Sequence, residues 1–166
     1  MVMYTSPEMY TPDPLPWQRI LAIHENRHAC QQQYSTEGFF GAVSVVTGEI
    51  ASGIADALCY DVAMFEGDAV VTETSLSKAG RGRSADFLEY YRVCFDEGQE
   101  RNYWQWRYGS LDRFTPDYYK IGYLVQAGVR AEFSCPAFMG ETYRRLHRKG
   151  AKGKLDNFNR TIAECT

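Results

Sequence analysis

The pentapeptide His24-Glu25-Asn26-Arg27-His28 restricts this chain more than any other stretch. Residues four apart on an α-helix lie about 40° apart round the axis and one turn along it, so both imidazoles face one point. A helix here lets two neutral ring nitrogens hold one metal ion. It also puts Glu25 beside them, where a carboxylate can take a proton from coordinated water. The chain has only three histidines, so two of them spaced around a glutamate in this way are seldom an accident of composition. A solvated polar stripe on an ordinary surface helix is the plain alternative.

A hydrolytic zinc site needs a third protein ligand and an open fourth position. The segment Met64-Phe65-Glu66-Gly67-Asp68-Ala69-Val70-Val71-Thr72-Glu73 offers Glu66, 38 residues after His28. Gly67 is expected to let this second helix approach the first closely. Glu73 lies two turns beyond Glu66 on the same face. There it can accept the free N–H of a ligand imidazole and fix its tautomer.

HExxH followed by EGxAxxxE resembles the gluzincin metallopeptidases, which include thermolysin-like enzymes and the large zinc aminopeptidases. The resemblance implies one zinc ion on His24, His28 and Glu66, with Glu25 as general base and Glu73 as the further acid of the aminopeptidase-like pattern. The wider stretch, including Pro116-Asp117-Tyr118-Tyr119, also resembles catalytic modules of predicted bacterial surface peptidases. In those proteins the module precedes a β-propeller, which implies export to the periplasm or cell surface and further domains in a longer chain. The likeness runs over about residues 17–130. Two departures stand out. Asp61-Val62-Ala63-Met64-Phe65 lacks the Trp of the usual WxxEG, and 23 residues precede the motif where gluzincins place several strands. The edge strand of such a sheet is what pairs with a peptide substrate.

The remaining sequence predicts a mainly α fold, α+β at most. Residues 1–150 are expected to form one zincin-like domain, and the basic residues 151–166 a tail or linker. One short strand is expected at Val2–Thr5. Helices are expected from Asp13 or Pro14 to Gln33, in one or two pieces across Gly38–Leu58, and at Val62–Ser75. Further helices are expected at Ala85–Glu97 behind Ser84, from Thr115-Pro116-Asp117 to about Glu132, and at Pro136–Arg148. Leu15, Ile20, Ala22 and Ile23 are the expected buried face of the first helix. Residues 1–77 carry ten acids and two bases, and residues 78–166 carry eleven acids and sixteen bases, which suggests two lobes of one domain. A net charge of −3 argues against a nucleic-acid partner, and no apolar run approaches a membrane span. The five cysteines form no CxxC pair, so a thiolate zinc site is not expected. Met1–Ser6 has neither the basic nor the apolar region of a signal peptide.

Attack on an amide builds negative charge on oxygen, which needs a hydrogen-bond donor. Tyr118, Tyr119 and Tyr123 are the candidates, with Tyr119 and Tyr123 on one helical face; in a chain with twelve tyrosines, a core or cleft-wall role is the alternative. Arg81 and Arg83 flank Gly82 in a turn and offer charge for a substrate carboxylate; a plain surface turn is the alternative. His147 reads as a solvated side chain, and Asn159-Arg160-Thr161 matches a glycosylation sequon. The function expected is hydrolysis of a peptide or protein by a zinc metallopeptidase. The alternatives are a non-catalytic metal-stabilised or peptide-binding module derived from a peptidase, and a zinc hydrolase of a non-peptide substrate.

Overall fold

A computed structural model describes residues 15–33, 38–48, 50, 53–54 and 61–133. Among them are six α-helices: α1 (Trp17–Gln32), α2 (Gly38–Thr47), α3 (Val62–Leu76), α4 (Ala85–Asp96), α5 (Tyr103–Tyr108) and α6 (Tyr118–Phe133). A 3-10 turn at Arg81–Arg83 links α3 to α4. No strand occurs among the described residues, so the mainly α expectation holds there. The strand at Val2–Thr5, the helix at Pro136–Arg148, the tail and most of residues 49–60 lie outside the described residues. No helix among the described residues is long and apolar enough to cross a membrane.

The first helix begins later than Asp13 or Pro14. Pro16 is its N-cap, and its carbonyl accepts from Arg19 N and Ile20 N at 2.9 and 3.2 Å. The reason is Pro16 itself, which pushes Leu15 before it out of the helical region. The buried face also differs from the expected one. Ile20, His24 and Gln31 are buried, whereas Ala22 is exposed. α1 therefore turns a largely polar stripe inward.

α3 is the central helix. Asp61 caps it by accepting from Ala63 N at 2.8 Å, and Ala63, Met64, Gly67 through Val71 and Glu73 are all buried. Its most extensive partner is α6, through paired glycines. A Cβ on Gly67 would lie 2.1 Å from the carbonyl carbon of Gly122, and one on Gly122 would lie 1.7 Å from Ala63 O. Gly67 thus admits α6, not α1 as its place beside Glu66 suggested. Among the described residues the acidic and basic halves are not separate lobes, because α3 and α6 come one from each and interlock here.

An aromatic cluster closes the far side, where Tyr91, Cys94, Trp106 and Ile121 pack with Ala63. Ser84 adopts extended N-cap geometry before α4, but its side chain makes no capping hydrogen bond. The short helix α5 is held by a capping box in which Asn102 and Gln105 each accept from the other's backbone N–H at 3.0 Å.

Candidate metal centre

His24 and His28 sit on the inward stripe of α1, and Glu66 faces them from the second turn of α3. His24 Nε2 lies 2.8 Å from Glu66 Oε2, His28 Nε2 lies 3.1 Å from the same oxygen, and the two Nε2 atoms are 3.0 Å apart. The rings meet edge to face, and the His28 ring stacks flat on Phe65 with centroids 4.5 Å apart. Three candidate ligand atoms, one from each predicted residue, therefore converge on one point.

The outward nitrogens show which protons these rings carry. His24 Nδ1 lies 2.6 Å from Glu73 Oε1, too close to a carboxylate oxygen for anything but an N–H donor. Arg81 Nη2 is 3.0 Å from the same nitrogen. Both are donors, and they share Glu73, to which the guanidinium donates through Nε at 2.9 Å and Nη2 at 2.5 Å. His28 Nδ1 lies 2.7 Å from Gln31 Oε1. With both Nδ1 atoms donating outward, neutral rings would turn two Nε2 lone pairs toward each other and toward a carboxylate oxygen. Three acceptors this close repel one another unless a proton or a cation sits among them.

The fit to a metal follows from these distances. A tetrahedral zinc ion bound at ~2.0–2.1 Å separates its ligand atoms by about 3.3 Å. The observed triangle of 2.8, 3.0 and 3.1 Å needs to open only slightly to reach that. Two imidazoles and a carboxylate with the imidazole N–H groups held from behind is a donor set suited to zinc.

A proton provides the cation in the metal-free chain. Burial disfavours charge on His24, but hydrogen bonds to Glu66 and Glu73 outweigh it and push its pKa up to about 9. Burial also works against charge on Glu66, yet its bonds to His24 and His28 hold it down at about 2. Glu73 is likewise lowered: burial opposes its charge, and the bonds from Arg81 and His24 prevail.

Glu25 is exposed on the outer edge of α1 and lines a cleft of about 290 Å³ with Trp17, Ile20, Leu21, His24, Arg81 and Tyr119. Of the three tyrosines, Tyr119 is the one on this cleft. Its ring lies 6.0 Å from that of His24 and beneath the Arg81 guanidinium at 5.3 Å. Burial and the charge of Glu66 raise its pKa, keeping the hydroxyl a proton donor. Tyr118 stacks on Tyr119 but packs toward the aromatic core, under Arg107. Tyr123 lies away from the cleft, its hydroxyl donating to Gly82 O at 3.3 Å. Arg81 is bound into the site from behind, whereas Arg83 is exposed on the other side of the turn. Of the two cysteines described, Cys30 is exposed and Cys94 is buried, and both are free thiols. His147 and Asn159 lie outside the described residues.

The sequence reading missed Gln31 and Asp68. Gln31 stands three residues after His28, the spacing that puts it on the same helical face, and that was the available signal. Comparison with known proteins adds no relative: no family model, curated protein or solved structure matches the chain.

Proposed function

We propose that this chain is a metal-dependent hydrolase with zinc on His24, His28 and Glu66. Within that class we read it as a gluzincin-like metallopeptidase. The observation that carries the reading is the convergence of two imidazole Nε2 atoms and a carboxylate oxygen within 3.1 Å, with an acceptor behind each outer Nδ1. A purely structural site has no need of the carboxylate that follows His24 and opens onto the adjoining cleft.

When bound, zinc supplies an acidified water and draws electron density from the scissile carbonyl. The chain's own residues perform the rest. Glu25 accepts the water's proton on its carboxylate and returns it to the leaving amine nitrogen. Tyr119 donates its hydroxyl hydrogen to the oxygen on which charge develops. Arg81 and Glu73 hold the His24 ring, and Trp17, Ile20 and Leu21 offer an apolar wall for a substrate side chain.

The test is zinc uptake by purified protein after loading, followed by cleavage of a peptide library by the loaded protein. One zinc per chain and cleavage that disappears on chelation are expected. Failure to take up zinc at micromolar concentration defeats the reading. Stoichiometric zinc with hydrolysis of esters but not peptides replaces the peptidase with a hydrolase of another substrate.

A further inference from the structure

Gln31 is 1% exposed and reaches from α1 across to α3. Its amide nitrogen donates to Phe65 O at 3.0 Å and to Asp68 Oδ2 at 2.8 Å. Both partners are acceptors, so this end of the side chain has to be the NH2 group and cannot be the carbonyl. The carbonyl oxygen therefore faces His28 Nδ1, and His28 has to be the donor. Asp68 is itself fixed: it is fully buried, with Arg27 Nε at 2.6 Å, Arg130 Nη2 at 3.0 Å and Gln31 all donating to its carboxylate. Donation runs from His28 to Gln31 to Asp68, the carboxylate on which the two arginines also converge.

We infer that Gln31, oriented by Asp68, is the positioning residue of the second histidine, setting the tautomer that turns the His28 Nε2 lone pair toward Glu66. The two ligands are thus held differently. A carboxylate stands behind His24, and behind His28 stands a neutral amide relaying a carboxylate one step further back. The inference rests on the zinc reading above and adds to it a residue on which the metal should depend.

The experiment measures zinc affinity by competition with a chromophoric chelator, together with the ¹⁵N-coupled Nδ1–H proton resonance of His28 in the zinc-loaded protein. Gln31→Met keeps the length of the side chain and removes both the donor and the acceptor. It should weaken zinc binding by about 10–100-fold, as loss of a partner behind a ligand commonly does, and broaden the His28 resonance by exchange. Gln32→Met, at the exposed neighbouring position, should change neither. Gln31→Glu, protonated where its outer oxygen meets the Asp68 carboxylate, keeps an acceptor toward His28 and a hydroxyl donor toward Asp68. It should recover affinity to within about threefold of the parent and sharpen the resonance again. If the parent binds zinc and Gln31→Met binds it equally well, the inference is overturned while the zinc reading stands. If Gln31→Met does not fold, Gln31→Glu decides, and affinity in it as weak as that of Glu66→Ala overturns the inference. A parent chain that takes up no zinc overturns both.

Discussion

Glu25 and Glu66 flank the same histidine pair, but substitution should separate their roles. Glu25→Gln keeps the size and hydrogen bonding of the side chain and removes the base. It should leave zinc affinity nearly intact and lower hydrolysis by roughly 10²–10⁴-fold. Glu66→Ala removes a ligand atom and should cost zinc itself, with activity falling as a consequence. Glu73→Ala should lie between them, near ~10–100-fold in affinity or activity. Loss of zinc in Glu25→Gln as severe as in Glu66→Ala would show that the roles are misassigned. The same residues set a pH dependence in the metal-free chain. The pKa of His24 rises from 6.5 to about 9 on folding, so the stability it contributes is complete below 6.5 and lost as pH climbs through 9. That of Glu66 falls from 4.5 to about 2, so its contribution is complete above 4.5 and lost as pH drops through 2. Zinc competes with the His24 proton. The rise in melting temperature that zinc produces should therefore be larger at pH 9 than at pH 6, and His24→Gln should flatten the metal-free decline between 6.5 and 9. Thermal melts with chelator and with zinc across that range check both.

The helices meet through a few contacts that side-chain substitution tests directly. Gly122→Ala would drive a methyl group into the Ala63 carbonyl, and Gly67→Ala one into the Gly122 backbone. Neither obstacle is the movable end of a side chain, so each should cost several kcal/mol, at or above the ~1–3 kcal/mol of ordinary overpacking. Gly128, further along α6, has nothing within 4 Å of a built Cβ. Gly128→Ala should stabilise by up to about 1 kcal/mol through helix propensity alone. Chemical denaturation of the three variants measures the contrast. These elements were unequally legible in the sequence. α3 and its start at Val62 could be read because Asp61 is a strong N-cap and the following run is apolar. The inward face of α1 could not be read from hydrophobicity, since it is made of His24 and Gln31 as much as of Ile20. α5 went unread because six residues hold too little periodicity, although Asn102 and Gln105 spelled its capping box. The ligands were legible through a local spacing and a resemblance. The Gln31–Asp68 relay was not, because it exists only when α1 lies against α3.

In the folded chain as a whole, the residues of the candidate metal centre also fasten helices together. α1 meets α3 through His24, His28 and Gln31 and through the ion pair of Arg27 with Asp68, and Arg130 brings α6 to the same carboxylate. Zinc should add to that fastening by about 2.7 kcal/mol when free metal exceeds Kd 100-fold. The aromatic core around Tyr91 and Trp106 contains none of the candidate ligands. Chelation should therefore lower the melting temperature and leave the helical circular dichroism in place; collapse to a random-coil spectrum would mark the ion as a folding cofactor. The glycine crossing of α3 and α6 carries a different consequence. Gly67 directly follows Glu66, the proposed ligand, and Gly122 comes one turn after Tyr119, the proposed proton donor, so both are gauged from a single point where backbone rests on backbone. A joint of bare main chain has no rotamer to adjust and no methyl group to trim. Drift in the surrounding core can accumulate without altering the span between Glu66 and Tyr119, whereas a change at the joint itself shifts that span at once. The crossing fixes how far Tyr119 stands from Glu66 across the site.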